Sequence, residues 1–193
     1  MEKKEILVAL VGNPNSGKTS LFNKLVGANQ KVGNFSGVTV EKYEGIVKHK
    51  DFTIKIIDLP GTYSLFSKSI DEEVAQQILC NKDNSDYPDI TLVVADASNL
   101  RRSIFLLTQI IDLKMNVVLA LNMVDIATKK GLIVDVNLLS KKLGIPVVAI
   151  NARKGKGIEV LKKTVINSLG KSPDYPFLDV GKLFKGAIQN RYD

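Results

Sequence analysis

Tryptophan is absent from this 193-residue sequence, and cysteine and histidine occur once each. A single cysteine excludes a disulfide within the chain, and one cysteine with one histidine cannot supply a soft transition-metal site. The helical pattern around Cys80 predicts a buried thiol. No apolar run approaches the roughly 20 residues of a membrane-spanning helix. The charged residues at 1–5 lead directly into an apolar run, so no signal peptide is predicted.

Basic residues outnumber acidic ones by 27 to 20, which gives a formal net charge of +7. They are dispersed along the chain, without an arginine-rich arm or interleaved aromatic residues, so no specific nucleic-acid partner is expected. The simplest interpretation of these basic residues is a solvated surface. The more specific alternative is that they lie close to an anionic membrane surface. The 45% hydrophobic and 24% charged residues are typical of a globular domain.

Strand and helix patterns alternate along the chain, which predicts an α/β fold with a doubly wound, mostly parallel sheet of six strands flanked by helices. Strands are predicted near 5–11, 39–48, 52–58, 90–96, 116–121 and 145–150, and helices near 17–27, 70–80, 99–113, 135–143 and 157–169. The short polar connection between the second and third strands predicts one antiparallel hairpin. The pattern assigns residues 1–170 to one domain and residues 171–193 to a linker and the start of a truncated helical domain.

A glycine-rich segment between the first strand and the first helix fits G-x-x-x-x-G-K-[ST], the P-loop of nucleoside triphosphatases. Backbone N–H groups of such a loop, together with the helix N-terminus, bind phosphate oxygens. Lys18 is expected to reach the β- and γ-phosphates, and the Thr19 hydroxyl to ligate Mg²⁺. A chance glycine-rich turn is disfavoured because the flanking strand and helix are those that the motif requires. The nucleotide-binding residues predicted here are Asn13, Pro14, Asn15, Ser16, Gly17, Lys18, Thr19 and Ser20.

Asp58-Leu59-Pro60-Gly61 follows a predicted strand, about forty residues beyond the P-loop. Asp58 in this position can support Mg²⁺ through a water molecule, and the Gly61 N–H can contact a γ-phosphate. A D-x-x-G sequence alone also fits a plain turn, and its position after the hairpin is what favours a role at the nucleotide.

The base-recognition motif is Asn122-Met123-Val124-Asp125, after an apolar strand. The Asp125 carboxylate can accept hydrogen bonds from N1–H and the exocyclic amine of guanine, which favours GTP over ATP. Asn122 can connect this loop to the P-loop, and Met123 can cover the base. An ordinary helix-capping loop is the alternative.

Two further segments are predicted to contact the nucleotide, on weaker sequence signals. Asn151-Ala152-Arg153 follows the last predicted strand, and the Ala152 N–H is expected to reach guanine O6. Gly37-Val38-Thr39 lies between the first helix and the second strand, where the Thr39 hydroxyl is expected to complete the Mg²⁺ shell when GTP is bound. Threonine is also an ordinary strand residue.

These motifs resemble the Ras-like GTPase superfamily, more closely its Era-related branch, and in particular the cytoplasmic N-terminal G domain of the FeoB ferrous-iron transport family. The resemblance covers roughly residues 5–170. It is carried by the segments 12–19, 32–41, 58–65, 69–75, 96–102 and 122–125. Phe35 and Ser36 stand where the family usually has Trp and Pro, and Asn151 stands where Ser is usual.

The resemblance implies a P-loop GTPase fold and hydrolysis of GTP to GDP and phosphate with Mg²⁺. It also implies a location at the cytoplasmic face of the inner (plasma) membrane, helical and membrane domains that follow the G domain, and a small regulatory protein as partner. Asn15 matches an asparagine that the related branch uses to bind K⁺, so hydrolysis is expected to be stimulated by potassium.

Thr62 stands where Ras has the glutamine that orients water, so intrinsic hydrolysis is expected to be slow. The predicted catalytic residues are Lys18, Asn15, Thr39 and Gly61, and the predicted metal ligands are Thr19, Thr39, Asp58 and Asn15. A free-standing, ribosome- or RNA-associated Era-like GTPase and a nucleotide-binding module without hydrolysis are the alternatives.

Overall fold

The structure, a computed structural model, describes residues 4–173 and Phe177. The predicted linker and truncated helical domain at 171–193 therefore lie mostly outside the described residues. Among the described residues, no helix is long and apolar enough to cross a membrane.

One mixed sheet organises the part of the chain that is described. Its seven strands are β1 (Lys4–Gly12), β2 (Gln30–Asn34), β3 (Glu41–His49), β4 (Phe52–Asp58), β5 (Ile90–Asp96), β6 (Val117–Asn122) and β7 (Val147–Ala149), in the order β2-β3-β4-β1-β5-β6-β7. The pairs β4–β1, β1–β5, β5–β6 and β6–β7 are parallel, whereas β3 is antiparallel to both β2 and β4. The carboxyl ends of the parallel strands therefore meet at one edge of the sheet, where ligands bind in this class of fold.

The helices are α1 (Lys18–Val26), α2 (Ile70–Cys80), α3 (Leu100–Asp112), α4 (Val124–Lys129), α5 (Val136–Leu143) and α6 (Ile158–Asn167), and a short 3-10 turn covers Ala97–Asn99. Local sequence sets several of their ends. The Ser69 hydroxyl accepts a hydrogen bond from the Glu72 N–H, and the Asp135 carboxylate accepts one from the Leu138 N–H, as N-cap residues do. Gly144 ends α5 in the left-handed conformation.

Two apolar layers cover the faces of the sheet, because side chains alternate along each strand. Along β1, Ala9 and Val11 join the layer beneath α2 and α3, whereas Val8 and Leu10 join the layer beneath α1 and α6. Each fully buried aliphatic side chain contributes about 1.5–3 kcal/mol. This two-sided burial explains the nearly continuous apolar runs of β5 and β6.

The predicted α/β architecture and the antiparallel hairpin are confirmed, but the sheet has seven strands within the described residues and not the six predicted. The additional strand is β2, all five residues of which are exposed, so its sequence has no apolar alternation. Helix α4 was not predicted because its sequence overlaps the base-recognition motif. The second predicted strand begins at Glu41 and not near 39, which leaves Thr39 in a loop.

The prediction of a buried thiol at Cys80 is wrong, because the residue is exposed at the last position of α2. The buried face of that helix is formed instead by Val74, Ala75, Ile78 and Leu79.

Candidate nucleotide-binding site

The P-loop joins β1 to α1 through two residues in the left-handed conformation, Asn15 with φ 65° and Gly17 with φ 88°. The turn is closed by a hydrogen bond from the Ser16 N–H to the Asn13 carbonyl, 3.2 Å long. Gly17 also meets a steric requirement, because a Cβ there would lie 2.2 Å from Nδ2 of Asn122. The loop therefore needs glycine at this position for two independent reasons.

Lys18, the first residue of α1, forms an ion pair with Asp58, the last residue of β4. Its Nζ lies 2.5 Å from Oδ1 of the aspartate, and the two side chains are only 11% and 8% exposed. Burial raises the pKa of Asp58, and the Lys18 ammonium lowers it less than burial raises it. The parallel register of β1 and β4 creates this pair, because it places Asp58 opposite Leu10, just before the P-loop.

The segment after Asp58 packs against the P-loop. A Cβ on Gly61 would lie 3.2 Å from Cγ of Pro14, and the Thr62 N–H donates to the Gly12 carbonyl over 3.3 Å. The Thr62 side chain is fully buried, and its hydroxyl donates to the Ser64 carbonyl over 2.6 Å. Gly61 therefore lies directly beside the phosphate-binding loop, whereas the Thr62 hydroxyl is directed into the protein.

Asn122 connects three predicted segments through its side chain. Its amide nitrogen donates to the Ser16 carbonyl over 3.1 Å, and its amide oxygen accepts from the Ala152 N–H over 3.1 Å. Asn122 is 4% exposed, so both bonds are shielded from water. The P-loop and the two segments predicted to recognise guanine are thus joined at one buried residue.

The next residues of this motif begin α4. Met123 is its N-cap, with φ 60°, and its Cε lies 3.3 Å from the position of a Cβ on Gly17, so the thioether is next to the P-loop. Asp125 lies in the first turn of α4, and its Oδ2 is 3.7 Å from Nζ of Lys154.

Asn151 organises the loop that carries Ala152. Its side-chain oxygen accepts a hydrogen bond from the Lys154 N–H over 2.9 Å, and its backbone pairs with that of Lys156. These bonds close the turn that precedes Lys156. Ala152 is buried and Arg153 is exposed. Because the Ala152 N–H is bonded to Asn122, a contact with guanine O6 would require that bond to be shared or released.

The loop that contains Gly37, Val38 and Thr39 is not joined to the P-loop by any hydrogen bond or ion pair among the described residues. The loop is closed by the Phe35 N–H, which donates to the Val40 carbonyl over 3.0 Å, and Thr39 is exposed. Phe35 is only 4% exposed and belongs to the core layer beneath α2. Nζ of Lys42 lies 5.8 Å from the centroid of its ring. The buried Phe35 ring therefore anchors one end of this loop.

The sequence did not reveal two partners of the site. The Asn13 amide donates to the Arg102 carbonyl over 2.8 Å, and Lys154 faces Asp125. Both contacts join residues distant in sequence, and neither has a local signal. Among the described residues, Oδ1 of Asn13 and Oγ of Ser16 are buried without a hydrogen-bond partner.

Comparison with known proteins decides among the families that share these motifs. A family model described as "Ferrous iron transport protein B" matches residues 6–165. The chain belongs to this family. It corresponds to the N-terminal G domain of FeoB, as the sequence motifs predicted, and it has a GTPase fold.

Individual relatives agree with this assignment. The Fe(2+) transporter FeoB of Salmonella typhimurium is 46% identical over 162 residues, which cover 84% of this chain and 21% of the relative. The Escherichia coli K12 Fe(2+) transporter is 44% identical over the same coverage. The chain thus spans about a fifth of the length of these curated relatives.

Solved structures match the same region. The G domain of the T. maritima FeoB iron transporter has 44% identity and a TM-score of 0.77, covering 85% of this chain and 98% of that one. The apo cytosolic domain of the same transporter has 43% identity and a TM-score of 0.86, covering 96% of this chain and 72% of that one. The T. maritima cytosolic domain has also been solved in GDP and GMPPNP forms.

Proposed function

We propose that this domain binds GTP with Mg²⁺, hydrolyses it to GDP and phosphate, and regulates a membrane ferrous-iron transporter. The observation that carries the proposal is the buried side chain of Asn122, which bonds both the P-loop and the segment at Ala152. A site built this way holds base and phosphates at a fixed separation. Relatives 44–45% identical to this chain have been solved with GDP and GMPPNP, which supports the same ligand class here.

Guanine recognition is assigned to Asp125, the only carboxylate of its motif. It would accept two hydrogen bonds from the base, with Met123 and Arg153 covering the ring and Asn151 shaping the turn below it. Lys154 lies on the same side, with its Nζ 3.7 Å from Oδ2 of Asp125.

Phosphate binding is assigned to Lys18 and to the backbone N–H groups of the loop and first helical turn, from Asn13 to Ser20. The left-handed conformations of Asn15 and Gly17 turn successive N–H groups toward one side, as anion-binding loops do. Because Lys18 is paired with Asp58, arriving phosphates would have to take the lysine from the aspartate.

The residues near Lys18 fit Mg²⁺, which prefers oxygen ligands. The hydroxyl of Thr19 and the carboxylate of Asp58 would hold it, and Thr39 would join them after movement of its loop with Gly37 and Val38. Mg²⁺ supplies charge neutralisation at the phosphates. The Gly61 N–H, next to Pro14, is placed to meet a γ-phosphate.

Hydrolysis is expected to be slow without a further activator. Thr62 is buried and its hydroxyl is bonded to Ser64, so this side chain cannot orient a water molecule. Asn15 is exposed at the tip of the P-loop and offers an amide oxygen, which suits K⁺. A potassium ion held there would add positive charge beside the γ-phosphate.

The remaining assignments concern the longer protein. Residues 1–170 would form the G domain, and residues 171–193 would lead into a helical domain and then a membrane domain, with this domain at the cytoplasmic face of the inner (plasma) membrane. A small regulatory protein is a proposed partner, and no specific nucleic acid is. The family match does not favour the Era-like alternative. A module that binds GTP without hydrolysis is the remaining competitor.

Phosphate release from GTP tests the proposal. The rate is measured with Mg²⁺ in potassium chloride and in sodium chloride, for the wild type, Asn15→Ala and the control Asn137→Ala. Asn137 is an exposed asparagine of α5, away from the P-loop. We expect potassium to stimulate the wild type and the control, and Asn15→Ala to lose the stimulation. Equal rates in both salts would exclude the potassium role, and absence of any turnover would favour the non-hydrolysing module.

A further inference from the structure

Helix α3 contacts both the P-loop and the segment after Gly61. Its Arg102 carbonyl accepts the hydrogen bond from the Asn13 side chain, 2.8 Å long. The guanidinium carbon of the same residue lies 5.1 Å from the centroid of the Tyr63 ring, within cation–π range. One residue of α3 therefore contacts both segments that would meet the γ-phosphate.

A second contact lies two helical turns further along. The Leu65 N–H donates to Oε1 of Gln109 over 2.9 Å. Gln109 is seven residues after Arg102, so the two side chains are on the same face of α3. Tyr63 and Leu65 are two residues apart, which shows that the segment runs along this face.

The other end of the segment is held by the P-loop. The Thr62 N–H donates to the Gly12 carbonyl, and Gly61 packs against Pro14. Residues 61–65 are thus fixed on one side by the P-loop and on the other by α3. Gly61 packs against the P-loop and precedes by two residues the first contact with α3, at Tyr63, so α3 restrains the backbone that follows Gly61.

We infer that Arg102 and Gln109 are positioning residues that hold residues 61–65, here called the second switch, so that the Gly61 N–H faces the γ-phosphate position. The inference rests on the proposed hydrolysis of GTP for its catalytic consequence. Arg102 contacts the P-loop through its backbone carbonyl, which a side-chain substitution retains, and neither side chain contacts the segments assigned to the base. Both substitutions would therefore affect the response to the γ-phosphate and leave GDP binding unchanged.

Hydrogen exchange on the nucleotide-free, 193-residue chain tests the positioning without reference to activity. The matched control is Arg101→Ala, since Arg101 is the preceding arginine of α3, is exposed, and has no side-chain partner among the described residues. We expect Arg102→Ala and Gln109→Ala to accelerate exchange in peptides covering 61–66 by about two- to fivefold, from the usual strength of such contacts. Exchange as slow as in Arg101→Ala would overturn the inference.

Kinetics test the catalytic consequence. Single-turnover GTP hydrolysis is expected to slow about two- to fivefold in Arg102→Ala. The Kd for GDP is expected to stay unchanged, and Arg102→Lys, which keeps the cation, to recover most of the rate. Tyr63→Phe keeps an aromatic ring and should hydrolyse GTP at the wild-type rate. Tyr63→Leu removes the ring and should slow hydrolysis as much as Arg102→Ala does. The double variant Tyr63→Leu with Arg102→Ala should be no slower than either single variant. Equal loss of GDP affinity and rate would show a merely structural role and would contradict the inference.

The two proposals fail separately. A wild-type chain that binds GTP without turnover contradicts the proposed hydrolysis, whereas the exchange measurement still decides whether α3 holds the second switch. Active wild-type protein with unaffected Arg102→Ala and Gln109→Ala variants contradicts only the positioning role.

Discussion

Replacing Asn122 by alanine removes the residue that joins the P-loop to the base-recognition segments. The Ser16 carbonyl loses its side-chain donor and the Ala152 N–H loses its acceptor, both at a buried position. An unsatisfied buried polar group costs about 1–3 kcal/mol, so the loss of both partners should lower the free energy of unfolding by roughly 2–6 kcal/mol. That is a large share of the 5–15 kcal/mol typical of a domain, and corresponds to a fall in Tm of about 4–24 °C.

The assay is urea unfolding of nucleotide-free protein followed by far-ultraviolet circular dichroism, because the chain has no tryptophan for fluorescence. Asn137→Ala is the matched control, since the same side chain is removed from an exposed helix position. It should change stability by less than about 0.5 kcal/mol. An Asn122→Ala midpoint equal to that of the control would contradict this prediction, because it would mean that the two buried bonds contribute nothing to the stability of the fold.

Three further perturbations test other parts of the site. Burial raises the pKa of Asp58, so its contribution to stability is fully present below the ordinary carboxyl pKa and is lost as pH rises through the raised one. Between these two pKa values, the nucleotide-free wild type should therefore lose more stability with rising pH than Asp58→Asn does. Urea unfolding at several pH values measures the difference, and parallel pH profiles of the two proteins would contradict a raised pKa at Asp58. Gly131→Ala should lower the stability of the folded protein by about 1–2 kcal/mol, because alanine disfavours the left-handed backbone there. Gly17→Ala should lower it more, because the added Cβ would also clash with Asn122. Equal losses of stability in thermal unfolding would count against that clash. Phe35→Ala should cost about 3–5 kcal/mol in urea unfolding, because the ring is buried, and a loss below 1 kcal/mol would show that the ring does not anchor its loop.

The sequence predicted those parts of the fold in which local pattern and burial coincide. Strands β5 and β6 are buried on both faces and appear as unbroken apolar runs, and α2 has a cap and a clear apolar face. Strand β2 has no such pattern, because all five of its residues are exposed and it is held in place by backbone pairing with β3. Its existence depends on a neighbouring strand and not on its own side chains.

The sequence predicted those residues of the candidate site that belong to short motifs of fixed spacing. Motif spacing identified Lys18, Asp58 and Asn122, and the bond from Asn122 to the P-loop was anticipated. The pairing of Lys18 with Asp58 and the contact of Arg102 with Tyr63 were not, since each depends on the register of distant elements. The predicted role of Thr39 stays a prediction, because among the described residues its loop makes no hydrogen bond to the P-loop.

Competition between nucleotides measures whether this domain selects guanine. Fluorescent GDP is bound to the chain with Mg²⁺ and displaced by GTP, GDP or ATP, for the wild type and for Asp125→Ala. We expect displacement by GTP and GDP but not by ATP. We also expect guanine-nucleotide affinity to fall at least about tenfold in Asp125→Ala, since each charge-assisted hydrogen bond contributes about 1.5–3 kcal/mol. Displacement by ATP as effective as by GTP, or an unchanged affinity in Asp125→Ala, would contradict it.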